Sequence, residues 1–576
     1  IATLTERNPN PYDGEPLYNL GWSLKMQGRY EEAYEQFFKA CWNAAWQDAG
    51  YFNIAQIDLM QQHPETALEN IERSLIRNWH NHKARALKAA ILRKLNHTTE
   101  ALAWIEDSLA IDAFNMGCRY EKYLLTQQET DLDELKTLMR NWNHGYIEYS
   151  LDYAEAGMWE EAISFLQLHE QEGGDIYPMV YYALGYYTRQ SGQTEKAKAY
   201  YNKASQANPA YCFPNRIEEV VILESALAAN PADAKASYYL GNFWYGARQY
   251  EEAVKCWETS VQHDDSFPTV WRNLALAYYN KLGQTERALQ AMEKAFALDQ
   301  EDARVFMELD QLYKKLGVSH TQRLEKLKRH MSLTEKRDDV YLEYITLNNM
   351  LGNHLEAQQD LAQRKFHPWE GGEGKVPGQY LLAQTELAKS AIKAGKYQEA
   401  IDLLAATTEY PHNLGEGKLP GAQENDIDYY RGIAYQALGN QEKSEFYFRK
   451  ASEGLSEPAP AIYYNDQQPD KIFYQGLAWE ALGNPENARK RFNKLISYGE
   501  KHLFDQVKID YFAVSLPDLL IWEDDLQKRN TIHCYYLMAL GYLGLKKYDE
   551  AKTYFDKVLK MDINHQGAHI HRKMCE

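Results

Sequence analysis

A chain of 576 residues with 82 acidic against 63 basic side chains, a formal charge of −19, is ill suited to nucleic acid, because phosphates meet repulsion and no basic stripe offsets it. Its 45% hydrophobic content suits a folded chain, yet no apolar run approaches the roughly 20 residues that a bilayer crossing needs, so no membrane partner is expected. Six scattered cysteines without a C-x-x-C pair read as free, mostly buried thiols rather than a disulfide framework or a zinc site; no metal or cofactor is expected, and this usage fits a reducing, cytoplasmic setting.

The opening stretch, residues 1–16, begins without methionine and lacks a signal peptide's apolar core, as expected of a piece excised from something longer. From residue 17 the chain reads as helix after helix. "LYNLGWSLKMQGRYEEAYEQFFKA" (17–40) places Leu20 and Gly21 on one helix, Gly28 at a turn, and Ala33, Phe37 and Ala40 on a second. Ala67 and Ala101 follow Ala33 at steps of 34 and fix the register of the first three units. Residues 115–142 are degenerate, 181–209 restore the pattern, 212–230 read as an extra helix, and 238–260 and 270–298 restore it again. A basic, poorly matched second helix occupies 317–339; clear copies return at 429–452 and 535–559.

These segments resemble the tetratricopeptide repeat, a helix–turn–helix unit of about 34 residues. The resemblance implies an all-α fold, a right-handed solenoid of about fourteen units, each burying its apolar face only against its neighbour. A small residue on the first helix (Gly21, Gly185, Gly241, Gly432, Gly476) lets the second approach closely. Three parts are expected: 1–356 with mostly short junctions, 357–564 with long ones, and a polar capping segment at 565–576 that blunts the last apolar face.

The long junctions lie at 366–379, 410–426, 453–470 and 498–530, all between a second helix and the next first helix. Equivalent insertions in stacked repeats emerge on one edge, and loops of this length are usually functional. Two of them carry G-E-G-K-(V/L)-P-G. A phosphate-binding loop would need glycine where Trp369 and His412 stand and a hydroxyl where Val376 and Leu419 stand, so nucleotide binding is not expected. Such loops act as shaped connectors or wall a pocket for a polar ligand. The candidate ligand-binding residues are Trp369, Glu370, Glu373, Lys375, Glu416, Lys418, Trp522, Asp524 and Asp525, accompanied by Tyr463, Tyr464, Phe512, Asp466, Asp518 and Glu523. Aromatic rings beside carboxylates suit a sugar or a peptide side chain.

The phrases "HPWEGGEGKVPGQY", "NLGEGKLPG" and "DYFAVSLPDLLIWEDDLQKRN" resemble the C-terminal array of large bacterial tetratricopeptide proteins whose N-terminal β-rich region suggests carbohydrate-active enzymes. That resemblance implies a helical half of such a protein and assigns no catalytic residue.

The default task of such arrays is to hold a peptide on the concave face made by the first helices. Asn242 and Asn273 stand at positions matching the two asparagines of a carboxylate clamp, but Tyr238, Ala303 and Met307 replace its basic partners, which argues against an acidic C-terminal tail. Paired tyrosines put Tyr182 and Tyr238 forward as groove residues. His565, His569 and His571 read as a solvated tail, not a metal site. The function expected is a scaffold for a protein or peptide, its own N-terminal region among the candidates. The competing expectation is a saccharide site completed by another domain, in which Trp369→Ala or Trp522→Ala abolishes binding and spares the fold.

Overall fold

The structure, a computed structural model, describes residues 13–460, 466–507 and 521–576; Tyr463, Tyr464, Phe512 and Asp518 lie outside the described residues. Among the described residues there are thirty-one α-helices, three short 3-10 helices and no strand. The chain falls into two compact units, Ile1–Ser266 and Phe267–Glu576. Twenty-eight of the helices form fourteen antiparallel pairs, seven to each unit, joined by turns of two to four residues; Ile217–Ala229, Met331–Thr334 and Gln566–Arg572 stand outside the pairs. No described helix is long and apolar enough to cross a membrane. The cysteines are unpaired, all but half-buried Cys256 fully buried.

A recurring small-against-large contact explains why the pairs form. Gly21, Gly185, Gly241, Gly432 and Gly476 sit on first helices, each facing an aromatic ring sixteen residues on: Phe37, Tyr201, Trp257, Phe448 and Phe492. A Cβ at Gly241 would lie 2.3 Å from the Trp257 indole, so only glycine lets that ring close the pair. The alanines at the helix contact (Ala33, Ala67, Ala101, Ala253, Ala551) are wholly buried. Helix Tyr250–His263 shows the local logic. Ala253, Val254, Trp257 and Ser260 recur at helical spacing on its buried face, while Glu251 and Glu252 in its first turn face the positive end of the helix dipole.

The turn before that helix holds Arg248 at φ 61°, where Gly28 stands at φ 73° in the first pair. A left-handed conformation costs an L-residue about 1 kcal/mol that glycine does not incur. Two opposite effects are therefore expected within one pair: Gly241→Ala lowers stability by about 1–3 kcal/mol through overpacking, and Arg248→Gly raises it by up to about 1 kcal/mol. Denaturant titration of the two variants beside the parent checks both signs.

The first unit closes on its own beginning. Helix Ile217–Ala229 packs on helix Glu15–Met26, and buried Lys25 donates to Gln56 at 2.6 Å and to Glu155 at 3.4 Å. In the second unit the poorly matched stretch after helix Ala303–Lys315 is a helix broken at His330, His320–Arg329 then Met331–Thr334. Its basic character has a structural cause. Arg323, 1% exposed, lies in the interior and is held by Asp310 at 2.6 Å and Glu343 at 2.9 Å.

Candidate functional site

All four long junctions of the second unit line one cavity of about 1150 Å³. The first two hold each other. Phe366 is buried, and its N–H donates to the Asn413 carbonyl at 2.8 Å. The Asn413 side chain donates to the carbonyls of Leu361 and Arg364 at 2.7 and 2.8 Å. Gly415, at φ 81°, passes so near that a Cβ would lie 2.7 Å from the Phe366 carbonyl oxygen. Glu416 accepts from the Gly374 N–H at 2.8 Å, just where helix Lys375–Lys393 begins. Burial pushes the Glu416 carboxyl up, against the Gly374 N–H that favours its charge. Lys418 is pinned inside its own loop by Glu424 at 2.5 Å and the Thr408 carbonyl at 3.1 Å. Trp369 lies half-buried against Gly372, where a Cβ would meet its indole at 2.2 Å.

The third junction joins the second through Gln423, which donates to the Asp466 carbonyl at 3.2 Å and accepts from the Gln468 N–H at 3.2 Å. Beneath it Lys471 pairs with Asp426 at 2.5 Å. The fourth junction crosses to the beginning of the unit. Trp522 is 1% exposed, its indole N–H donates to the Glu308 carbonyl at 2.9 Å, and its ring meets Tyr279 edge-on. Glu523 pairs with Lys281, and Asp524 with Lys315. Asp525 caps helix Leu526–Gly544 by accepting the N–H groups of Gln527 and Lys528 at 2.9 and 3.0 Å.

The C-terminal segment completes the wall. Asn564 donates to the Lys314 carbonyl at 3.1 Å, and Gln566 meets Gln379 at 3.1 Å. His565 accepts the Ala568 N–H on Nδ1 at 3.0 Å and so caps helix Gln566–Arg572. His571, 3% exposed, lies 2.7 Å from the Gly567 carbonyl and 3.1 Å from the Tyr536 hydroxyl. These histidines are not a solvated tail, because the segment folds against the inner side of its own unit. Burial pushes His565 down to about 4, with Asp562 opposing and His533 and His571 reinforcing. The folded state therefore holds it neutral while the unfolded chain binds a proton near pH 6.5. Its contribution to stability is full above about 6.5 and is lost as pH falls towards 4. The melting temperature is expected to drop between pH 7 and pH 5, and less so in His565→Asn, which keeps a capping oxygen without titrating. Melting curves at the two pH values decide.

The repeat geometry is matched by sequence models as well. Models described as "Tetratricopeptide repeat" match residues 180–211 and 532–565, 222–255 and 245–303, and 472–498. The chain carries tetratricopeptide repeats. Among solved structures it is similar to residues 41 to the end of MamA from Desulfovibrio magneticus RS-1, at 23% identity over 34% of this chain and 97% of that one, TM-score 0.20. It is also similar to YrrB, a TPR protein with an unusual peptide-binding site, at 16% identity over 42% and 97%, TM-score 0.16. Yeast Tom70 matches at 12% identity over 97% and 95%, TM-score 0.25.

Within the repeats, the expected site residues are divided. Lys375, Glu416, Trp522, Asp524 and Asp525 line the cavity; Trp369, Glu370, Glu373 and Lys418 do not. Trp522 is an anchor and not an open stacking face, since its ring is enclosed by the helices it docks on. The groove tyrosines turn out to be core. Tyr182 is fully buried, its hydroxyl donating at 3.1 Å to Asp233, which caps helix Ala234–Gly246. Tyr238 is 3% exposed. The Asn242 amide is engaged by the Cys212 carbonyl and the Trp257 indole N–H, each at 3.2 Å, and Asn273 is half-buried on a helix of the second unit. Sequence reading missed Asn280, Lys281 and Lys471. They carry no motif, and their partners lie far away in the chain. Among the described residues no group of three His, Cys, Asp or Glu side chains is placed to hold a metal ion.

Proposed function

We propose that this chain is a protein-interaction scaffold and that the cavity of its second unit receives a peptide segment of the partner. Tetratricopeptide repeats support the scaffold role. One observation carries the choice of site: four loops and the C-terminal segment, separate in sequence, wall a single cavity of about 1150 Å³. That volume suits a short segment and not a folded domain. Its lining mixes apolar side chains (Leu381, Ile427, Ile532) with charged and amide groups (Glu386, Lys528, Gln468), the blend by which a site fixes both affinity and orientation. A segment of the partner or of the chain's own N-terminal region would serve equally. The saccharide alternative relied on the loop tryptophans beside carboxylates as a stacking site; Trp369 does not line the cavity, and Trp522, although on its wall, is 1% exposed and docked on Tyr279.

Selection of a random peptide library against the whole chain tests this reading. Glu386→Gln and Lys528→Glu, on the cavity wall, are expected to weaken the selected peptide by about tenfold, whereas Trp369→Ala leaves it unchanged. If neither wall variant affects binding, the cavity is not the site; if saccharides raise the melting temperature and no peptide binds, the saccharide reading replaces this one.

A further inference from the structure

The segment Ile521–Asp525 meets the helices it crosses in the way that a bound peptide would. The Asn280 amide donates to the Ile521 carbonyl at 2.8 Å and accepts from the Glu523 N–H at 2.9 Å. One side chain thus reads both backbone polarities of the segment two residues apart, a contact that depends on no side chain of the segment. Between those two backbone groups Trp522 turns inward, losing its indole to the Tyr279 ring and the Glu308 carbonyl. Glu308 is itself wholly buried and held by Arg272 through two bonds of 2.6 Å, so the acceptor is fixed in place. Outside the buried ring, Lys281 and Lys315 take the carboxylates of Glu523 and Asp524. Backbone grip, aromatic pocket and paired lysines are separate elements of recognition, supplied by helices Pro268–Asn280 and Ala303–Lys315 and the lysine next to the first of them.

We infer that these two helices form a segment-recognition site of the scaffold, occupied in cis by the chain's own Trp–Glu–Asp sequence, and that a partner segment with the same chemistry, a tryptophan followed by two acidic residues, competes for it. The inference deepens the proposed function and rests on the scaffold reading, but its site is distinct from the residues tested there. Charge complementarity is local: the chain is acidic overall, yet the groups facing Glu523 and Asp524 are lysines. The cis segment acts as a tethered competitor. A tethered segment presents itself at an effective concentration on the order of mM, so an untethered peptide binds the intact chain weakly and gains once the cis segment is released. Salt weakens the lysine contacts and leaves the Asn280 grip, so competition is partly screened.

The test uses the whole chain and a fluorescein-labelled peptide spanning residues 519–526, LLIWEDDL. Fluorescence polarisation is measured on the parent, on Trp522→Ala, and on Trp522→Ala with Asn280→Ala. The expected result is binding at least about tenfold tighter to Trp522→Ala than to the parent, lost again when Asn280 is removed. Because Trp522→Ala destabilises the unit, the milder Glu523→Gln/Asp524→Asn chain is run in parallel; it keeps the ring and is expected to bind the peptide more tightly than the parent. No binding to any folded segment-released variant overturns the inference, and so does equal binding to all of them regardless of Asn280. Either failure leaves the selected-peptide test of the cavity wall untouched, so the two readings are separable.

Discussion

Trp522→Ala is expected to destabilise the second unit by about 3–5 kcal/mol, the cost of emptying a fully buried tryptophan site. The change removes the indole donor to Glu308 and the ring packed on Tyr279, and it loosens the segment whose neighbours pair with Lys281 and Lys315. Its sequence position suggested a ligand platform that could be cut without harm to the fold; the buried ring predicts the reverse. Denaturant titration followed by helical circular dichroism should show an earlier transition, whereas Trp369→Ala, half-buried in a loop, should shift it far less.

Arg323→Met should cost a comparable amount, about 3–5 kcal/mol, because it strands Asp310 in the interior without its cation and leaves Glu343 to Lys314 alone. Replacing Asp310 by leucine in the same chain should recover part of the loss, since an apolar pair of similar volume avoids the desolvation that a lone carboxylate suffers. The network also has a pH signature. Burial pushes the Glu343 carboxyl up, but Lys314 and Arg323 outweigh burial and hold it at about 2. Its folded value lies below that of the unfolded chain, so its stabilisation is complete above about pH 4.3 and fades as pH falls towards 2. Removing Arg323 should move the acid end of the stability profile to higher pH.

The helical repeat was legible because its signal is local. Gly241 and Trp257 meet across one turn, sixteen residues apart, and the same spacing recurs with Gly21 and Phe37 and with Gly476 and Phe492. The positions of the long loops were legible for a similar reason, since each interrupts the period at the same kind of junction, and residues of all four line the cavity. Closure of the second unit was not legible. Trp522 and Glu308, or Asn564 and Lys314, are brought together by the summed curvature of seven helix pairs, and no residue type announces that sum. A loop tryptophan beside acidic residues reads the same whether it awaits a ligand or docks on its own chain. The histidine tail misled in the opposite direction, since His571 looks polar in sequence and is buried because the segment carrying it folds inward. The twin G-E-G-K loops have a plain structural reason: each supplies backbone groups that the other completes, at Phe366 with Asn413 and at Gly374 with Glu416.

Hydrogen–deuterium exchange of the whole chain with and without a library-selected peptide tests the central claim most directly. Peptide binding in the cavity predicts slowed exchange at the starts of helices Lys375–Lys393, Asn425–Ala437, Pro469–Ala481 and Leu526–Gly544, whose first turns line it, with the first unit unchanged. Protection confined to the first unit, or spread over outer helices such as Gln441–Ser452, would contradict it.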